Sequence, residues 1–321
     1  MFGGRGNILT AADIAGAITR SGARMTDDSP TADVQRSGLR GSNLLRAFIN
    51  SPFSGLAPWI LLSMISGPGR FEEAASAALG VAIMVLFVNW RLGGSIKLLE
   101  WFDVAFFGIY ALIGLFASNA VIEWLELWGG EVSNIALVSF AVGSILLRRP
   151  FTLEYAREQV DEKFWEQPIF IRTNYVITWA WAAAFGVQAL SGLFGDLVLH
   201  TSNNFWTGWI IQIGAIIFAI AFTEFYPDYG PNKAMQKLGL ETDPPVSVAR
   251  LFDWLPIFIL ITGIAALVTD STSTTVGVTL IVVGVVGGLA FRRIFPDDRP
   301  ATAGTPPTSA GDAEIPKPPV G

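Results

Sequence analysis

The residues with chemical potential in this chain are amides and hydroxyls set inside long apolar runs. Asn174 and Thr178 stand four residues apart, so on a helix they share a face. Gln188 and Gln212 each fall on the order of 10 Å from the same end of two successive apolar runs, at the helical rise per residue. Two amides at matching depth can hydrogen-bond across a helical hairpin, a contribution of about 1 kcal/mol. The same four groups could instead line a path for a small neutral or lipid-like substrate. The sequence leaves both readings open.

Catalytic signatures are lacking. The 321 residues include no cysteine and one histidine, His200, which removes thiolate chemistry and most zinc sites. There is no Gly-rich phosphate loop, no Gly-x-Ser-x-Gly elbow and no His-Glu-x-x-His. A Ser–His dyad would have to use His200, beside Asp196, with no nucleophile motif to support it. The expectation is a protein that is not an enzyme, with no catalytic, cofactor-binding or metal-binding residues and no cofactor. No basic patch marks a nucleic-acid partner.

The elements that must position the polar groups are transmembrane. Hydrophobic residues make up 51% of the chain and charged residues 15%, against roughly 25% charged in a soluble domain. The charges cluster in tails and in short connections. This predicts an all-α fold, a polytopic transmembrane helical bundle of about eight spans built as helical hairpins. The spans are predicted at 53–66, 72–90, 101–118, 132–148, 174–195, 205–225, 251–269 and 275–291. They form a transmembrane domain, 43–295, between a disordered tail at 1–42 and a Pro/Ala-rich disordered tail at 296–321. The first segment is short and carries Pro58. It either extends backwards through Leu44, Leu45, Ala47, Phe48 and Ile49, or lies in the membrane plane. No signal peptide precedes it, so the first span is expected to direct insertion. The polar stretch from Met25 to Pro30 reads as an ordinary N-terminus, which makes Met25 an alternative start.

Basic residues choose the orientation. With eight spans one side receives Arg46, Arg91, Lys97, Arg148, Arg149, Arg157, Lys163, Arg172, Lys233, Lys237, Arg250, Arg292 and Arg293. The other side receives Arg70, with Glu123, Glu126, Glu131, Asp196 and Asp270. Both termini are therefore expected in the cytoplasm, and the location is the cell (cytoplasmic) membrane. Trp90, Trp101, Trp165 and Trp254 would form the inner aromatic belt, and Trp124, Trp128, Trp206 and Trp209 the outer one. Glu131 belongs to a connection on this reading, and no ionisable residue lies near the middle of a span. Proton-driven transporters place an acid near the midplane, so an ion-coupled pump is not expected.

Several local features follow from spacing. Thr152 reads as the N-cap of an amphipathic helix running to Phe164, either in-plane or cytoplasmic, with Leu153, Ala156, Val160 and Phe164 on one face. Val121–Trp128 reads as a second in-plane segment that stops at Gly129-Gly130. Small-residue pairs at Ser76/Gly80, Ala78/Ala82, Ala182/Gly186 and Gly284/Gly288, with Gly277 one heptad earlier, suggest close packing within the bundle or in a homo-oligomer. An internal repeat would relate the hairpin from Phe102-Asp103 to Arg148-Arg149 with that from Phe252-Asp253 to Arg292-Arg293.

The sharpest motif runs from Ser144 through Arg148-Arg149-Pro150-Phe151-Thr152 to Tyr155-Ala156-Arg157, with Asn174 and Trp181 beyond it. Over roughly 44–226, as three hairpins, this resembles bacterial polytopic membrane proteins of the intracellular septation protein A-like type. The resemblance implies an inner-membrane protein with a structural or interaction role in the cell envelope or division. Arg149, Pro150, Tyr155 and Arg157 would be the functional motif, and the partners would be the lipid bilayer and other membrane proteins. On physical grounds alone the motif is a helix stop whose arginines meet anionic headgroups.

Overall fold

The computed structural model describes residues 52–201, 204–237, 239 and 246–295. The two tails and the backward extension of the first segment lie outside them. Every regular element among the described residues is helical. In order they are α1 (Pro52–Ile65), α2 (Phe71–Arg91), α3 (Leu98–Phe116), α4 (Asn119–Leu146), α5 (Thr152–Arg157), α6 (Pro168–Leu197), α7 (Ile211–Lys237), α8 (Leu255–Val268) and α9 (Thr274–Ile294). A π-helical turn, Phe205–Ile210, leads into α7, and 3-10 turns occupy Glu162–Phe164 and Val248–Phe252.

Seven helical stretches are long and apolar enough to cross a membrane. This is a multi-pass integral membrane protein, a helical bundle of membrane spans. The 14 residues of α1 rise about 21 Å, less than the roughly 30 Å of a hydrocarbon core.

Two compact units divide the chain. Among the described residues, one comprises 52–64 and Ala75–Ala111, the other Ile65–Ala74 and those from Leu112 onward. In the first, Leu56, Trp59 and Leu62 form the buried stripe of α1, and Ala75, Ala78, Ala82, Val85 and Asn89 that of α2. In the second, α4 packs on α6, α6 on α7, and α8 on α9.

Several predicted boundaries move, each for a local reason. The fourth predicted span, 132–148, begins instead at Asn119 and runs unbroken through Gly129-Gly130. Each helical glycine costs about 1 kcal/mol, but Gly129 sits under the Phe71 ring, and the Ser133 hydroxyl donates to its carbonyl at 2.7 Å. The segment Val121–Trp128 is thus the first turns of a spanning helix. The helix expected over 152–164 ends at Arg157, because Trp165 folds back: its indole donates to the Val160 carbonyl at 3.0 Å and its ring lies under the Arg157 guanidinium. Phe164 is exposed, off the predicted face. Helix α6 starts early because Pro168 is pre-shaped for a first helical turn. Helix α7 continues past Pro227 and Pro231, where i,i+4 aromatic stacks, Phe222–Tyr226 and Phe225–Tyr229, support the chain.

The proposed repeat fails locally. Asp103 is buried within α3, whereas Asp253 is exposed at the end of a 3-10 turn. Arg148 lies beyond its helix with positive φ, whereas Arg292 and Arg293 are in the last turn of α9. Of the small pairs, Ser76/Gly80 is exposed and Gly186 meets nothing; Ala78/Ala82, Ala182, Gly277 and Gly284 are buried.

The α8–α9 hairpin closes on glycines. A Cβ at Gly284 would lie 2.6 Å from the Leu260 nitrogen, and one at Gly263 2.9 Å from the Gly277 carbonyl, whereas one at Gly287 would meet nothing. Gly284→Ala should therefore force the helices apart and lower stability by about 1–3 kcal/mol. Gly287→Ala should be neutral or gain up to about 1 kcal/mol. Thermal unfolding of the two variants in detergent checks this contrast.

Candidate functional site

Helix α4 ends in a Schellman turn. The Arg149 N–H reaches the Ser144 carbonyl at 2.8 Å and the Arg148 N–H that of Ile145 at 2.9 Å. Such an ending places one residue in the left-handed region, usually glycine; here it is Arg148, at φ 59°. Pro150 then prevents further helix, and the Phe151 N–H donates to the Ser144 hydroxyl at 3.3 Å. The turn points Arg148 and Arg149 outward, exposed, and drives Phe151, Thr152 and Tyr155 inward, buried. Arg157 is half-buried over the Trp165 ring, 5.4 Å from its centroid.

This turn brings the two predicted residue sets together. Phe151 caps α5, and the Thr152 side chain does no capping. Instead the Thr152 and Thr178 hydroxyls lie 2.7 Å apart and both approach the Asn174 carbonyl, at 3.0 and 2.8 Å. The Asn174 amide bonds back to Phe170 in its own helix at 2.9 Å. Beside them Phe140, Phe151, Trp181 and Phe185 form an aromatic column, and the Trp181 indole crosses to the Thr223 hydroxyl on α7 at 3.0 Å.

Farther along the α6–α7 seam the two glutamines do not pair amide to amide. Gln188 Nε2 reaches the backbone carbonyl of Gln212 at 3.4 Å, and Gln212 Nε2 turns to the Thr207 carbonyl at 3.3 Å. The π-helical turn explains this. Its wider winding frees carbonyls from the helical ladder, and Thr207 O also accepts from the Ser191 hydroxyl at 2.8 Å. Gly195 presses directly on the Thr207 hydroxyl. Asn204 starts the turn by accepting from the Trp206 and Thr207 N–H groups. The seam is therefore closed by Trp181–Thr223, Gln188–Gln212, Ser191–Thr207 and the Gly195 contact.

Two groups of ionisable residues escaped the sequence reading. In the first unit, Asn89 Nδ2 donates to both Glu100 oxygens, at 2.9 and 3.0 Å, and to the Ser95 carbonyl at 2.8 Å. Lys97 ion-pairs with Glu100 at 3.6 Å, both side chains having no exposed surface. Gly94 is required there, since a side chain would collide with Asn89. One turn on, Asp103 accepts the Trp59 indole N–H at 2.7 Å within the rings of Phe102, Phe106 and Phe107. Lys97, Glu100 and Asp103 at three-residue spacing were the available signal. In the second unit Glu131, expected in a connection, is buried inside α4. His200 is an exposed residue with positive φ beyond α6.

No known family matches the chain, and no curated protein or solved structure is significantly similar to it.

Arg148→Gly should relieve the left-handed strain and raise stability by about 1 kcal/mol, measured by thermal unfolding. Lys97→Met should remove the counter-charge of the buried Glu100 carboxylate and cost about 3–5 kcal/mol; adding Glu100→Gln should recover part of that loss. A double-mutant cycle on the same assay reads both.

Proposed function

We propose that this protein is a non-catalytic structural or interaction component of the bacterial cytoplasmic membrane, of the kind that supports the cell envelope or division. The observation that carries the reading is the use made of the four intramembrane polar residues. A carrier for a neutral or lipid-like substrate would need Asn174, Thr178, Gln188 and Gln212 turned toward a path. Their donors instead bond within and between helices, the interhelical use that polar groups serve in lipid. The resemblance to septation protein A-like proteins, resting on its short motif, favours the same role.

In this reading both termini are cytoplasmic. The exposed Arg148 and Arg149 meet anionic headgroups of the inner leaflet. Membrane-protein partners, or further copies of this chain, would pack against its apolar helix faces.

The chain contains no cysteine, so single replacements report cleanly. With a membrane-impermeant maleimide on intact cells, Arg70→Cys should label, and Arg149→Cys should label only after permeabilisation. In proteoliposomes glycerol and erythritol should equilibrate no faster than in protein-free vesicles. Faster flux that disappears in Gln188→Leu would replace the structural reading with a transport one.

A further inference from the structure

Glu131 lies well inside α4, roughly 22 Å along the helix from Leu146. Its side chain is buried, with 7% of its surface exposed. It faces the backbone of α6 at Gly192, where any side chain would fall on the carboxyl. Gly192 is thus the cradle of an acid set between two spanning helices. The carboxyl hydrogen-bonds Asn134, one turn along α4, but Oε2 is buried with no hydrogen-bond partner. No Lys, Arg or His among the described residues ion-pairs with it.

The groups around this carboxyl share its polarity. Asp196 follows Gly192 by one turn of α6 and interacts unfavourably with Glu131 as an anion. Gln188, one turn before Gly192, also keeps a buried oxygen without a partner. The π-helical turn beside α6 carries no ionisable residue. Around Phe71, which meets Gly129, the ionisable groups are Arg70 and Glu73, both exposed, and Glu72, which lies against Gly114. The site therefore offers oxygen acceptors and no buried cation.

We propose that Glu131 is a reversible proton-binding site inside the bundle, held by Gly192 and reached from the α6 terminus past Asp196. An ionised carboxylate without a counter-charge in a low-dielectric interior is strongly disfavoured, so such groups neutralise, and ionisable residues within spans mark function. A proton is the cation that fits. Hard metal cations take six or more oxygens, and among the described residues no cluster of three His, Cys, Asp or Glu could hold one. A proton needs one carboxylate oxygen and a neighbouring acceptor. Partly exposed Asp196, near the end of α6, supplies the step between Glu131 and water. This goes beyond the structural role and does not depend on it: a bundle closed to neutral solutes still holds an exchangeable proton.

The test uses dicyclohexylcarbodiimide, which reacts with protonated carboxyls in apolar surroundings, on the full chain in proteoliposomes, with peptide mass spectrometry. Glu131 should carry the adduct, and its yield should fall several-fold from mildly acidic to alkaline pH. Glu131→Gln should lose that adduct and keep its melting temperature. Gly192→Ala, which drives the carboxyl from its cradle, should change the pH at which labelling is half complete. Absence of the adduct in folded wild-type protein at every pH would overturn the proposal. So would labelling that responds to sodium at fixed pH and not to pH itself, which would indicate a metal cation.

Discussion

Hydrocarbon offers a polar group no water, so an amide or hydroxyl donor between these helices gains by finding its acceptor in the protein. The second unit is organised by that constraint. Where α4 ends, the Ser144 hydroxyl takes the Phe151 N–H. Where α5 returns, Thr152 and Thr178 meet at the Asn174 carbonyl. At the π-helical turn before α7 the Ile211 N–H bonds the Trp206 carbonyl, and the Thr207 carbonyl accepts from the Ser191 hydroxyl and the Gln212 amide. Individually such bonds contribute about 1 kcal/mol or less in a membrane. Together they fix the rotation of α6 against α5 and against the turn that leads into α7, which apolar packing alone leaves loosely specified.

The first unit answers the same constraint with charge. Asn89, Lys97 and Glu100 close the turn between α2 and α3, and the Trp59 indole serves Asp103 among aromatic rings. Buried ion pairs contribute little net stability against apolar replacements, but breaking one is costly. Their value here is geometric: Gly94, Asn89 and Glu100 admit one path for the chain between the two helices. The hairpin of α8 and α9 uses neither device. It relies on glycines that let the backbones touch.

The spans were legible because apolar length and the scarcity of charge are properties of the chain itself. The helix ends were less so. Pro168 marks a helix start that its polar neighbours concealed, and the aromatic pairs that carry α7 past two prolines act through packing. Gly129-Gly130 read as a stop because a glycine's local cost is visible in sequence, whereas the Phe71 ring above it is not. The same blindness hid the charged sites. Lys97 and Glu131 lie where charges usually meet water. Asn89 and Glu100 enclose the first, and Gly192 on another helix receives the second. Asn174, Thr178, Gln188 and Gln212 stand out in the sequence as polar groups within apolar runs, but the carbonyl that Gln212 finds lies in a π-helical turn that no residue pattern announced.

The central claim is that the polar groups of the α6–α7 seam are sealed between helices and not turned toward a watery path. Accessibility at the seam tests it most directly. Gln188→Cys and Gln212→Cys, the sole thiols in otherwise cysteine-free chains, should resist a small water-soluble methanethiosulfonate reagent in native membranes and react once the protein is unfolded. Rapid modification of either residue in the folded protein, from either side of the membrane, would contradict the account.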